Sequence, residues 1–226
     1  TGARAMTRDE IKATEDAFIN AAVLSQKAGF DGMEIHGAHG YLLCQFLSSD
    51  INKRDDEYGG SMENRSRIID NIIAGIKQAC DNSFSLGLRL SPARFGMQLD
   101  EITTYYERLC ADETLDFIDM SLWDVFQEVD EGPHKGARLV DVFSQLNRHK
   151  TKLTVAGKIT TGADVKSVLN AGVDFVALGR AGILHHDWPQ KFAADADFQS
   201  IPTPVTKAHL TNEGLGPKFV SYMSTW

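Results

Sequence analysis

The sequence predicts an α/β protein of the (β/α)8, or TIM barrel, class, represented by five of the eight strand–helix units. Three observations predict it. Ala28-Gly29-Phe30-Asp31-Gly32-Met33-Glu34-Ile35 and Ala171-Gly172-Val173-Asp174-Phe175-Val176-Ala177-Leu178 repeat one pattern, with Leu115-Asp116-Phe117-Ile118-Asp119-Met120 as a weaker copy. A helix closed by glycine and followed by an aspartate and an apolar strand is what right-handed βα crossovers produce. Polar and reactive residues crowd the C-terminal ends of these strands, where barrel active sites sit, and no G-x-G-x-x-G turn marks a doubly wound sheet. Five parallel strands would leave two open edges, so the sequence reads as an incomplete barrel.

The elements follow in order. Thr7-Arg8-Asp9-Glu10 is a capping box that opens a helix with Ile11, Phe18, Ala21, Ala22, Ser25 and Ala28 on one face. Gly29 suits its C′ position, and Phe30 to Ile35 reads as a short buried strand. Helical stretches near Asn64 to Cys80, Glu101 to Ala111 and Leu139 to Arg148 separate strands at Ser85 to Leu90, Leu115 to Met120 and Leu153 to Ala156. Val165, Val168 and Leu169 line a last helix before the strand Val173 to Leu178. Between Gly37 and Gly60 runs a long connection whose Tyr41, Leu42, Leu43, Phe46 and Leu47 argue for order and function. Trp123 to Lys135 is a candidate substrate or nucleotide loop, and Phe219, Tyr222, Met223 and Trp226 suggest that the tail packs on a neighbouring element or subunit.

Composition limits the function classes. The chain has 226 residues, 42% of them apolar, enough for one globular domain with a sizeable core. A net charge of -8 repels nucleic acid and anionic membranes on average, and no basic run offsets it. No apolar stretch approaches the ~20 residues of a membrane-spanning helix, and the N-terminus has no signal-peptide pattern. Cys44, Cys80 and Cys110 are odd in number and widely spaced, which points to a reducing, cytoplasmic setting and to neither disulfides nor zinc. The start at Thr1, without an initiator Met, suggests that something upstream has been removed or was never built.

Three places at strand C-termini can carry chemistry. His36-x-x-His39-x-Tyr41 brings two imidazoles and a phenol to one strand end, able to hydrogen-bond a substrate oxygen and supply a proton. The same histidines could instead satisfy loop backbone, and H-x-x-H without a third clustered ligand is weak as a zinc site. Arg89 lies inside the apolar strand Leu86-Gly87-Leu88-Arg89-Leu90, where a guanidinium requires either a buried ion pair or a cofactor contact. Ala156-Gly157-Lys158-Ile159-Thr160 and Leu178-Gly179-Arg180-Ala181-Gly182 are two turns of like character after the last two strands, a common place for phosphate in βα barrels.

Glu34-Ile35-His36-Gly37-Ala38-His39-Gly40-Tyr41-Leu42-Leu43-Cys44-Gln45-Phe46-Leu47-Ser48 resembles the active-site segment of the Old Yellow Enzyme family of NAD(P)H:flavin oxidoreductases. So does Asn52-Lys53-Arg54-Asp55-Asp56-Glu57-Tyr58-Gly59-Gly60-Ser61-Met62-Glu63-Asn64-Arg65, and Arg89-Leu90-Ser91-Pro92, Ala156-Gly157 and Gly179-Arg180 match later landmarks in order. The resemblance implies that this chain supplies about the last five βα units of the barrel. It makes residues 1–226 a single domain, an incomplete FMN-binding barrel without the first three strands. It implies FMN as cofactor, NADH or NADPH as reductant, and hydride passed through FMN to an activated alkene or another small electron acceptor. His36 and His39 match the pair that hydrogen-bonds the substrate oxygen, and Tyr41 the proton donor. Arg89 matches the arginine at the pyrimidine edge of FMN. Backbone N–H groups at Gly157, Lys158, Gly179 and Arg180, with the Arg180 side chain, match the FMN phosphate site. Without a downstream cysteine cluster, the FMN-only branch fits better than the iron–sulfur relatives, and a homo-oligomer is allowed. Two other readings remain: a flavin-free truncated fragment without activity, and a phosphate-binding TIM-barrel isomerase or lyase.

Overall fold

A computed structural model describes residues 4–223, so the expectation for Trp226 lies outside the described residues. The chain divides into two compact units, residues 1–121 with 146–153, and residues 122–145 with 154–226.

In the first unit, Thr7 and Glu10 cap α1 (Arg8–Lys27) reciprocally, as the sequence indicates. Its far end is a Schellman motif: Gly29 takes φ +89°, its N–H reaches the Gln26 carbonyl at 2.9 Å, and Phe30 N–H reaches that of Ser25 at 3.1 Å. That closure consumes Phe30, which is exposed and precedes the strand rather than starting it. Ala21 and Ala28, expected on the buried face, are exposed as well. β1 (Gly32–Gly37) pairs in parallel with β2 (Ser85–Leu90), which pairs in parallel with β3 (Phe117–Ser121).

One face of these strands carries Ile35, Leu86, Leu88, Leu90, Ile118 and Met120, all fully buried. α3 (Met62–Ala79) buries Ile68, Ile69, Ile72, Ile73 and Ile76 at helical spacing. Each such side chain contributes about 1.5–3 kcal/mol of burial, which outweighs the weak helix propensity of isoleucine. α4 (Leu99–Ala111) buries Ile102, Tyr105, Tyr106 and Leu109 in the same way.

The long connection after β1 holds a short helix, α2 (Leu42–Leu47), which the sequence pattern did not reveal. Its order rests on buried polar braces. Arg65 donates to the Leu47 carbonyl at 2.7 Å and to Glu101 at 2.5 Å; Asn52 Nδ2 donates to the carbonyls of Phe46 and Tyr58 at 2.8 and 2.7 Å. Arg54 clasps Asp56 through two nitrogens and the Met6 carbonyl through a third. Much of the motif from Asn52 to Arg65 thus braces the loop.

In the second unit, α5 (Leu139–Ser144) is shorter than expected because Gln145 already takes the C-cap position. β4 (Lys152–Ala156), whose first two residues belong to the first unit, pairs in parallel with β5 (Phe175–Ala177) through Thr154 to Ala156. Between them, α6 (Gly162–Asn170) opens on a Thr161/Asp164 capping box. After β5 come four short helices, α7 (Arg180–Leu184), α8 (Trp188–Ala194), α9 (Lys207–Asn212) and α10 (Pro217–Met223). Leu184, Leu210, Val220 and Met223 form a core shared by α7, α9 and α10, so the tail does pack on a neighbouring element, while Phe219 and Tyr222 stay exposed. No helix among the described residues is long and apolar enough to cross a membrane.

Candidate active site

On the first unit the strand period of two sends alternate side chains of β1 to the face opposite the isoleucine layer, so Glu34 and His36 share it. The register aligns His36 with Arg89, and Arg89 with Asp119, across three neighbouring strands. The chain then turns sharply. His39 and Gly40 both adopt left-handed backbone (φ +61° and +73°), and His39 N–H is held by the Ser91 hydroxyl at 3.0 Å. The turn folds the loop back over the strand end and gathers the side chains that the sequence singled out. The His36 ring lies 5.1 Å from that of His39 and 5.6 Å from that of Tyr41, centre to centre.

Tyr41 is the N-cap of α2 and is 65% exposed, so its phenol can meet a ligand from solvent. Burial, reinforced by the Arg89 charge, lowers the pKa of both His36 and His39 below the ordinary imidazole value, with His36 itself a further contributor at His39. Each ring is then neutral at neutral pH, with one N–H donor and one acceptor nitrogen. Two neutral donors beside a guanidinium form a site suited to an oxygen on which negative charge develops.

Arg89 realises the ion-pair alternative that its sequence context left open. Its Nε donates to Ser121 Oγ at 2.7 Å and lies 3.2 Å from Asp119 Oδ2. The four remaining N–H donors, on the terminal nitrogens, are outside these two contacts. Asp119 and Glu34 are the residues that sequence reasoning passed over. Burial pushes the Asp119 carboxyl up to about 6 against the pull of Arg89. Burial, then Asp119, pushes Glu34 up to about 7, with Arg89 opposing. The available signal was the period-two spacing of Asp119 and Ser121, two polar residues on one face of an otherwise apolar strand.

The second unit carries the two glycine turns, and they differ. Gly157 has φ +153°, and a Cβ there would lie 2.8 Å from the Trp123 carbonyl carbon and 2.9 Å from Asp124 N. The close approach it permits is to the chain's own backbone. Its carbonyl accepts from Val125 N–H at 3.2 Å, Ala156 O accepts from Leu122 N–H at 2.8 Å, and Lys158 Nζ pairs with Asp124 at 2.9 Å. This turn holds Trp123, 54% exposed, in left-handed backbone (φ +64°). Gly179, the N-cap of α7, has nothing within 4 Å of a Cβ built on it, and no side chain caps the helix. Of the two turns, only Gly179 leaves open space over the backbone.

Elsewhere in the second unit, His185, His209 and Glu213 bring their ligand atoms within 4.8 Å of one another. His185 Nε2 accepts from Ile201 N–H at 3.1 Å, which puts the ring proton on Nδ1 and makes it a poor metal ligand. The three cysteines are free.

The chain belongs to the NADH:flavin oxidoreductase / NADH oxidase family, whose model matches residues 1–198. It is 31% identical over 235 residues to a probable NADH-dependent flavin oxidoreductase, YqiG, of Bacillus subtilis, covering 95% of this chain and 63% of that protein. An NADPH dehydrogenase of Bacillus cytotoxicus is 34% identical over 200 residues, covering 86% of this chain and 56% of the relative. Among solved structures, the old yellow enzyme homologue from Zymomonas mobilis superposes with a TM-score of 0.72 at 26% identity, over 92% of this chain and 60% of that one. Morphinone reductase in complex with tetrahydroNAD gives 0.71 at 28% identity, over 92% and 54%. The chain therefore spans a little over half the length of most of these relatives, and the Old Yellow Enzyme resemblance read from the sequence holds at the level of family and fold.

Proposed function

We propose that the protein carrying this chain is an FMN-dependent oxidoreductase that passes hydride from NADH or NADPH, through FMN, to an activated alkene. The observation that carries the reading is the gathering of His36, His39 and Tyr41 at one strand end, in a chain of this family. FMN, when bound, supplies the hydride-accepting and hydride-donating ring. Two features fit such a group: Arg89 keeps four N–H donors beyond its anchor on Asp119 and Ser121, and Gly179 leaves its backbone open to a phosphate.

The chain's own residues have distinct tasks in this reading. His36 and His39 donate hydrogen bonds to the carbonyl oxygen of the alkene substrate, drawing electron density from its β-carbon. Tyr41 holds a proton on its phenol and delivers it to the α-carbon. Arg89 supplies positive charge to the pyrimidine edge of the cofactor. Backbone N–H groups at Gly157, Lys158, Gly179 and Arg180, with the Arg180 guanidinium, hold the phosphate.

The test separates the two halves of turnover by stopped-flow absorbance, using the flavin-loaded protein and an α,β-unsaturated aldehyde. Tyr41→Phe should slow alkene-driven recovery of the flavin colour by roughly 10²-fold or more, within the usual range for a general acid. It should leave bleaching by NAD(P)H within about twofold. Equal loss in both halves would remove Tyr41 as proton donor.

A further inference from the structure

Arg89 stands on a strand face that it shares with Glu34, His36, Asp119 and Ser121, and something must fix its direction there. Its alkyl stem emerges from β2 between His36 on β1 and Asp119 on β3. On the β3 side its Nε donates to Ser121 Oγ at 2.7 Å and forms an ion pair with Asp119 Oδ2 at 3.2 Å, the two partners lying two residues apart on one face. Asp119 is only 3% exposed, and its second oxygen, Oδ1, has no hydrogen-bond partner in the described residues. A carboxylate oxygen buried without a partner loses its hydration with nothing in return. A chain that needed only a filled strand position would place an apolar residue there, as it does at Ile118 and Met120.

We propose that Asp119 is the positioning residue of Arg89, clamping the guanidinium by its Nε end so that the terminal nitrogens face the ligand. The inference rests on the flavin reading above for the identity of that ligand, but the clamp itself is a property of the first unit. The groups that face the guanidinium are Glu34 and His36 from β1, His39 from the following loop, and Asp119 and Ser121 from β3. Both histidines are neutral near pH 7, so the two carboxyls decide the local charge. Ser121 supplies direction without charge. Asp119 supplies charge at the Nε end, and its charge, like that of Glu34, changes with pH. As pH falls through about 6 it gains a proton, its attraction for Arg89 weakens, and the Nε–H contact loosens.

The test observes the Arg89 side chain directly. In nitrogen-15-labelled protein without flavin, the Arg89 Nε–H resonance should titrate with a midpoint near the Asp119 value of about 6. In Asp119→Asn the step near 6 should be lost, leaving only the response to Glu34, while the N–H stays slow to exchange because Ser121 Oγ still accepts it. Asp119→Leu should speed exchange at least about tenfold, the loss expected from ~1.4 kcal/mol. Ser121→Ala keeps the titration and provides a second folded variant. A wild-type resonance that does not titrate, or one that titrates alike in Asp119→Asn, overturns the inference. FMN is then added: Asp119→Leu should weaken its binding more than Asp119→Asn does. If the wild-type protein binds no FMN, the flavin reading fails while the clamp, already decided without flavin, stands.

Discussion

The loop after β1 and the turn after β4 both follow strand ends, yet they offer a ligand different things. The first presents side chains: a left-handed turn at His39 and Gly40 brings His36, His39 and Tyr41 within 6 Å of one another as ring-centre pairs with His36. The second presents backbone, and most of that is spent on the chain itself, since Gly157 packs against Trp123 and Asp124. Reaction chemistry needs particular functional groups, so residue type betrays it. Phosphate binding needs only N–H groups, so its sequence mark is a glycine, and a glycine can be required for other reasons.

Substitutions can break or sharpen this contrast. The largest effect should come from the side-chain site: replacing both histidines by leucine removes two donors aimed at developing charge, each worth about 10²-fold or more. Alkene reduction, followed by product formation, should fall by at least that factor while the melting temperature changes little. Next is Gly157→Ala. With φ +153° and backbone within 3 Å of the new methyl, it should destabilise the protein by roughly 1–3 kcal/mol in urea unfolding. Loss of flavin affinity should follow only as unfolding does. Smaller again is Lys158→Met, which removes a half-exposed ion pair with Asp124 worth about 0.2–1 kcal/mol. Gly179→Ala, in open space, should stay within about 0.5 kcal/mol. Should it nevertheless weaken FMN binding, the phosphate role of that turn gains support independent of stability.

The pH dependence follows from the same groups. His36 and His39 have folded pKa values below the unfolded imidazole value of ~6.5. A lowered base is protonated more readily in the unfolded state, so their contribution to stability is present above pH ~6.5 and lost as pH falls below it. Asp119 works the other way: a carboxyl raised to about 6 from 3.8 costs stability as pH rises through that window. Thermal unfolding of Asp119→Asn and wild type between pH 4 and 7 should therefore show different slopes.

Much of the fold was legible because it obeys short-range rules. The α1 capping box, the Gly29 stop and the limits of β2 read directly from spacing. Phe30 was misplaced because a Schellman closure takes one residue beyond the glycine, which hydrophobicity alone assigns to the strand. α2 was missed because six residues carry too little periodicity to stand out from a loop. At the site, His36, His39 and Tyr41 were visible as chemistry-bearing types close in sequence. Asp119 was not, since it lies 30 residues from Arg89 and only strand pairing brings them together. The difference between Gly157 and Gly179 depends on what packs over each backbone, and no local pattern records that.

The most direct test of the flavin assignment is an anaerobic titration of the flavin-loaded protein with NADH or NADPH, read by visible absorbance. The account requires the flavin bands to bleach stoichiometrically and to return when an activated alkene is added. A protein that takes up FMN and keeps its colour through an excess of both nucleotides would contradict it.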